Sequence, residues 1–251
     1  MNLIRFRTLL YREIIRFLKV INQTILSPVL SSVLYLAVFG IVLGGQINHD
    51  GSYIAFIIPG IIVMEIMMAA YSNTSSSLFL SRYLHMIDHL LVTPITYTEL
   101  VLAYIFGGVF RGALVGTLIE VVSILFSPFH IAHGLGVIFF MIGISIIFSG
   151  IGLVVALWSE EFEDLSIVTT YFITPFTFLG GVFYSVKLLP PALLAITRFN
   201  PFFYLIDGFR WAMIGKTEGD IGISILLTLA LSAFFTMANI YLFRIGYKIK
   251  Q

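Results

Sequence analysis

Six apolar stretches, each near the length of a membrane crossing, dominate the chain: residues 25–43, 53–72, 100–126, 135–158, 165–184 and 221–242. A helix needs ~20 such residues to traverse about 30 Å of hydrocarbon, where every backbone polar group must be paired internally. The pattern predicts an all-α membrane protein with six transmembrane helices in a single transmembrane domain, 1–251. Composition agrees: 59% of residues are hydrophobic, 11% are charged and the mean hydropathy is +1.03, too apolar to cover a water-facing surface. A net charge of +1 leaves no basic surface for nucleic acid, and the absence of cysteine excludes disulfides, thiolate metal sites and cysteine nucleophiles. Pro28, Pro59 and Pro175 fall inside or at the ends of these stretches, where neighbouring helices satisfy the carbonyls they free.

Residues 1–24 differ from the rest, holding five of the 14 basic residues. At helical spacing Arg5, Arg12, Arg16 and Lys19 fall within an arc of roughly 60°, opposite Leu3, Phe6, Leu10, Ile14, Phe17 and Ile21. This predicts an amphipathic interfacial helix whose bases face anionic lipid or an acidic partner. Counting Lys and Arg in the connections places the N-terminus, Arg82 and the C-terminal Arg244, Lys248 and Lys250 on the cytoplasmic side. The short outer loops "GGQINHDGS" and "SPFHIAHG" contain none.

The stretch "ITRFNPFFYLIDGFRWAMIGKT" is apolar yet carries Arg198, Asp207 and Arg210, each costing roughly 2.5–3.5 kcal/mol near a bilayer centre. A seventh crossing here would also carry the basic C-terminus outside. Asn200-Pro201 divides the segment into two pieces too short to span. The expectation is a re-entrant hairpin at 186–214, entering from the outer face, with Asp207 and Arg210 able to pair as i, i+3 neighbours. Gly215-Lys216-Thr217 imitates the end of a phosphate-binding loop, but Arg210 stands where that motif needs its first glycine.

Glu65, Arg111 and Glu120 lie within the apolar stretches, where charges face a bundle interior or a wet cavity. Glu65 and Arg111 are expected at similar depth on antiparallel neighbours, as a structural pair. In "SRYLHMIDHLLVTPITYTE", Leu84, Ile87, Leu90 and Leu91 form an apolar face that Thr93-Pro94 ends, predicting a helix over 82–92 across the inner membrane surface. His85 and His89, with Asp88 beside them, have metal-ligand spacing but no third ligand, so a solvated or interface helix is the better reading. His130 and His133 carry no assignment.

Five segments together resemble the type-2 permeases of ABC transporters, in particular bacterial exporters with drug-efflux and nodulation-factor relatives. They are "YREIIRFLKVINQTILSPVL", "FIIPGI", "LLVTPI", "TPFTFLGGVFYSVKLLPP" and "FNPFFYLIDGFR", and they cover essentially the whole chain. The resemblance implies a homodimer in the bacterial inner membrane, both termini cytoplasmic, bound to two separate ATPase subunits that supply ATP and magnesium; this chain itself holds no cofactor and no metal. It makes 1–24 a connecting helix and 82–92 a coupling helix. ATPase contact then falls to Arg82, Tyr83, His85, Met86, Ile87, His89 and Leu90, with Glu160, Glu161, Glu163 and Asp164 of "SEEFED" as a second contact. Arg198, Asn200, Pro201, Asp207 and Arg210 belong to the outer hairpin, and Phe172, Phe176, Phe178 and Phe183 become candidates to line or gate the pathway.

An ion-driven secondary carrier would instead predict inverted repeats and midplane ionisable sites, and a membrane-embedded enzyme would need a convergent set of acids, bases or metal ligands. Neither pattern is present. The aromatic content of 15% suits an amphiphilic, lipid-like, drug-like or glycan cargo without choosing among them.

Overall fold

A computed structural model describes residues 3–43, 52–87, 93–128 and 130–248. The described residues form helices and turns without a strand. Helix α1 (Leu3–Leu18) leads into the first apolar element, Asn22–Gly40, which is α-helical only at Ser27–Tyr35 (α2) and π-helical at Asn22–Leu26 and Leu36–Leu43. Then come α3 (Ser52–Tyr83), α4 (Tyr97–Ser123) and α5 (Gly134–Trp158). The next apolar stretch is built from α6 (Asp164–Val168), a π-helical turn Thr169–Ile173, and α7 (Thr174–Leu179). A 3-10 turn (Val186–Leu188), α8 (Pro191–Phe199), α9 (Pro201–Ile214) and α10 (Ile221–Ile245) complete the chain.

Among the described residues, five helices are long and apolar enough to cross a membrane: Asn22–Gly40, Tyr53–Tyr83, Tyr97–Ser123, Gly134–Trp158 and Ile221–Ile245. The stretch read as the fifth of six crossings, 165–184, is a 16-residue helix, Asp164–Leu179, that ends at Gly180 and Gly181. Gly181 has φ +80°, a conformation that stops a helix and favours glycine. Helix ends follow local chemistry. Thr96 and Glu99 form a reciprocal capping box that starts α4, and Asp220 accepts from Gly222 and Ile223 N–H to start α10.

The bundle centre is α3, packed against α5 and α4. Three glycines one turn apart on α4 set this register. A Cβ on Gly116 would stand 2.7 Å from Ile66, one on Gly112 would stand 2.6 Å from Ser145 Oγ and 3.5 Å from Ala70, and one on Gly108 would strike Ser149 and crowd Thr74. Small residues thus let three backbones approach closely, the packing that serves helices in lipid. The outer helix α10 is arranged inside out relative to a water-soluble helix. It buries Ser224, Thr228 and Asn239 while exposing Leu226, Leu229, Phe234 and Met237. Asn239 Nδ2 donates to Gly150 O at 2.9 Å and Ser232 Oγ to Gly143 O at 3.3 Å, so polar groups join helices while apolar ones face outward.

That register separates Glu65 from Arg111. Residues 66, 70 and 74 of α3 stand opposite 116, 112 and 108 of α4, so Arg111 is level with residue 71. Glu65 therefore lies about six residues, roughly 9 Å, further along the axis. No ion pair joins them, and Arg111 Nε instead donates to Thr24 O at 3.3 Å. The expectation of similar depth came from counting along apolar stretches whose true ends differ. The second helix continues to Tyr83, eleven residues past the expected boundary at 72.

Candidate functional site

Two regions gather the residues singled out by sequence. The first is the end of the bundle where α1 lies. Its hydroxyl-rich segment, residues 72–77 of α3, reads Ser-Asn-Thr-Ser-Ser-Ser in the middle of an apolar helix. These groups meet α1. Arg16 Nη2 donates to Asn73 O at 2.7 Å and to Asn73 Oδ1 at 3.1 Å, and Ser77 Oγ donates to Glu13 Oε2 at 2.6 Å. Glu13 is 1% exposed and sits 3.0 Å from Arg12 and 3.5 Å from Arg16. Arg12 also donates to the Tyr104 hydroxyl at 3.3 Å. Burial disfavours its charge, but Tyr104 and Glu13 together outweigh burial and hold the guanidinium above its ordinary pKa. Two bases expected to face lipid or a partner, Arg12 and Arg16, thus turn at least partly into the protein. Glu13 and Tyr104 were not singled out by sequence, although the run of small polar residues at 72–77 was a visible signal that something polar docks there.

Arg82 and Tyr83 are the last turn of α3, not the start of a separate helix. Leu84 and His85 form a turn, with His85 at φ +54°, and helix resumes at Met86 and Ile87. His89 and Leu90 lie outside the described residues. Arg82 is buried, and its Nη1 donates to Ala156 O and Ser159 O, carbonyls at the end of α5. Tyr83 is 67% exposed and Met86 41%, whereas Ile87 is buried. Phe79 stacks on Tyr83 at 6.0 Å and meets Phe162 edge-on at 5.9 Å. In the acidic loop 159–164, Asp164 Oδ2 accepts from Glu160 N at 2.9 Å and Glu161 N at 3.0 Å, and Glu160 pairs with Lys248 at 3.0 Å. Glu161 and Glu163 are exposed. Arg5 of α1 donates to Pro94 O, tying α1 to the segment before α4. Between α1, the end of α3 and residues 93–95 lies an open groove of about 990 Å³. Among the described residues its lining carries Arg5, Arg12, Arg16 and Lys19 against one carboxylate, Glu13, with apolar surface that includes Leu9, Leu80 and Ile95.

The second region is the hairpin and its anchor. Helix α8 ends at Asn200, whose extended backbone starts α9. Asn200 Oδ1 accepts from Phe202 N at 3.0 Å, and Nδ2 donates to Phe176 O at 2.6 Å, so one side chain caps α9 and binds it to α7. Pro201 at the first position of α9 needs no N–H partner there. The expected Asp207–Arg210 pair does not form, because each group serves the backbone. Asp207 accepts from Thr217 Oγ1 at 2.6 Å, Glu218 N at 2.8 Å and Gly219 N at 2.9 Å. Arg210, fully buried, donates to Gly181 O at 2.7 Å and Phe56 O at 3.3 Å and lies 3.9 Å from the centre of the Phe56 ring. The Gly215-Lys216-Thr217 triplet is the left-handed end of α9 followed by the loop that Asp207 holds. Arg198 is exposed at the end of α8, and its carbonyl accepts from Tyr204 Oη at 3.1 Å.

Tyr53 Oη also donates to Phe183 O at 2.8 Å, and a Cβ on Gly60 would stand 2.7 Å from Val182 O, so the turn 180–183 is seated directly on α3. From this anchor spreads an aromatic layer. Phe183 stacks on Phe39 at 4.5 Å and meets Phe178 at 5.5 Å, while Phe176 packs on Phe202 at 5.8 Å and Phe172 at 6.5 Å. Phe172, Phe176 and Phe178 remain 57%, 39% and 41% exposed. In the isolated chain they form an uncovered aromatic face along the shortest apolar helix.

The ABC-2 type transporter family profile matches residues 4–214. Inner membrane transport permease YadH of Escherichia coli K12 is 38% identical over 209 residues, 82% of each chain. Nodulation protein J of Neorhizobium galegae is 27% identical over 218 residues, 84% of this chain and 81% of its own. That of Sinorhizobium fredii is 24% identical over 232 residues, 89% and 87%. The multi-pass arrangement of apolar helices fits these relatives, and the chain belongs to the ABC-2 type transporter family of membrane permeases.

Proposed function

We propose that the chain is the membrane-spanning subunit of an ATP-driven exporter, working as a homodimer with two copies of a separate ATPase on the cytoplasmic side. ATP and magnesium belong to that partner, whereas this chain supplies the path. The observation that carries the proposal is the construction of the α1 end. Arg82 ties α3 to the end of α5, Phe79 and Phe162 join α3 to the acidic loop, and Lys248 fastens that loop to the C-terminal segment. Force applied at the exposed Tyr83 and Met86 therefore reaches three spans together. The adjoining basic groove presents cations and apolar surface to a docking subunit, with Glu161 and Glu163 as further contacts.

In this reading the α1 end is cytoplasmic, α1 lies along the membrane surface and 82–92 couples to the ATPase. Asp164–Leu179 begins a sixth crossing, and 186–214 re-enters from the outer side to roof the pathway. The exposed Phe172, Phe176 and Phe178, with the first span, form the seam between protomers. Cargo there is amphiphilic, lipid-like, drug-like or a glycan, released outward as the seam changes packing. Tyr83→Cys in the naturally cysteine-free chain tests the assignment. It should cross-link to the ATPase expressed with it, and the complex should purify together. Cross-linking confined to a position on the opposite end, such as Leu188→Cys, would overturn it.

A further inference from the structure

We infer that residues 22–28 form a latched hinge in the first span, with Arg111 of α4 as the latch. Proline at 28 has no N–H to offer the carbonyl four residues earlier, Thr24 O, and its ring crowds that carbonyl. The helix responds by widening. Asn22–Leu26 is π-helical, with Ser27 N donating to Asn22 O. Thr24 O then accepts from Arg111 Nε at 3.3 Å, so a guanidinium from the neighbouring helix supplies a donor where the proline cannot. The Thr24 hydroxyl meanwhile donates to Phe17 O at 2.8 Å and Val20 O at 3.0 Å, holding the turn to the end of α1.

Proline alone does not produce this arrangement, because Pro59 lies within a continuous α3. The π-helical turn followed by a hydroxyl residue and proline recurs at Thr169–Ile173 before Thr174-Pro175, in another sparsely covered element. Beyond the first hinge the span is seated through buried Ser32 and Leu36 and the Phe39–Phe183 stack, but most of its surface is uncovered. Only 28% of Asn22–Gly40 is buried, against 72% of Tyr53–Tyr83. Opening the latch frees α2 to swing while α3, α4 and α5 stay packed. Arg111 is thus a positioning residue, which accounts for a membrane-embedded cation without an ionic partner.

The inference rests on the reading of a permease moved by ATP, and both can be tested in one preparation. The cysteine-free chain is spin-labelled at Leu34→Cys and Leu125→Cys, diluted with unlabelled chain so that distances are intrachain, and reconstituted in lipid nanodiscs with its ATPase. Leu34 lies nine residues beyond the hinge midpoint at Ile25, so a swing of ~20° about that point moves it by about 5 Å. The unsubstituted hinge should show one narrow distance without nucleotide and a shift of about 5 Å when ADP-vanadate is trapped. Arg111→Gln should broaden or shift the distance without nucleotide. Pro28→Ala, which restores the N–H, should stay narrow in both states, and Arg111→Gln should then have no further effect. A second pair, Tyr83→Cys and Leu125→Cys, reports the coupling segment. Movement there with an unmoved Leu34, or an Arg111→Gln distance like the natural one, overturns the hinge alone. No nucleotide response at Tyr83 overturns the ATP-driven reading and the hinge with it.

Discussion

Replacing Arg210 by leucine should be among the most damaging single changes in the chain, although Arg210 is expected to touch neither cargo nor ATPase. Its guanidinium makes hydrogen bonds to two backbone carbonyls and lies over the Phe56 ring. A hydrogen bond to a charged group contributes about 1.5–3 kcal/mol and a desolvated cation–π contact up to about 2, while non-additivity and better packing of leucine offset part of the sum. A net loss of about 3–4 kcal/mol follows, or roughly 6–16 °C in apparent Tm for a chain of this size. Differential scanning fluorimetry in detergent can read this from intrinsic tryptophan, since Trp211 adjoins the site and Trp158 is the only other tryptophan. Lysine should not rescue, because a single ammonium cannot bridge Gly181 and Phe56 while covering the ring. An Arg210→Lys protein as stable as the natural one, or an Arg210→Leu shift below about 2 °C, would refute the clamp.

Gly112→Val should destabilise by about 2–4 kcal/mol, read as loss of monodisperse protein in size-exclusion chromatography, because even a Cβ would stand 2.6 Å from Ser145 Oγ. Glu13→Ala leaves Arg12, Arg16 and Ser77 without their shared acceptor, and because both arginines are partly exposed and keep other partners it should cost about 1–3 kcal/mol. Limited proteolysis within residues 1–24 should rise, whereas Arg7→Ala at an exposed position should leave it unchanged. Exchanging the charges of Glu65 and Arg111 should not restore a protein impaired by either single change, since the two groups do not pair in the fold; recovery of ATPase stimulation in the double variant would reinstate the ion pair.

Apolar length was enough to read five of the helices, because crossing a bilayer leaves the backbone few alternatives. The break at Asn200-Pro201 was also legible, since proline restricts the residue before it and asparagine is a strong cap. What length cannot supply is register. The glycines at 108, 112 and 116 recur every fourth residue and carry that information, but they mark contact only once the neighbouring helices are known. Placing Glu65 beside Arg111 failed for that reason. Arg111, Asp207 and Arg210 illustrate a second limit. Charges in apolar surroundings were matched with other charges, whereas the fold satisfies them with backbone carbonyls and N–H groups, which every sequence possesses and none displays. The third is the docking of α1. Its bases suggested a lipid-facing surface, but the hydroxyl run at 72–77 and the buried Glu13 draw Arg12 and Arg16 inward.

Transport in proteoliposomes containing the permease and its ATPase, challenged with labelled lipids, glycans and hydrophobic drugs, tests the central claim most directly. ATP should drive movement of one of these classes out of the ATPase-bearing compartment, and an imposed proton gradient alone should move none. Transport that continues without ATP and follows the proton gradient would contradict the account.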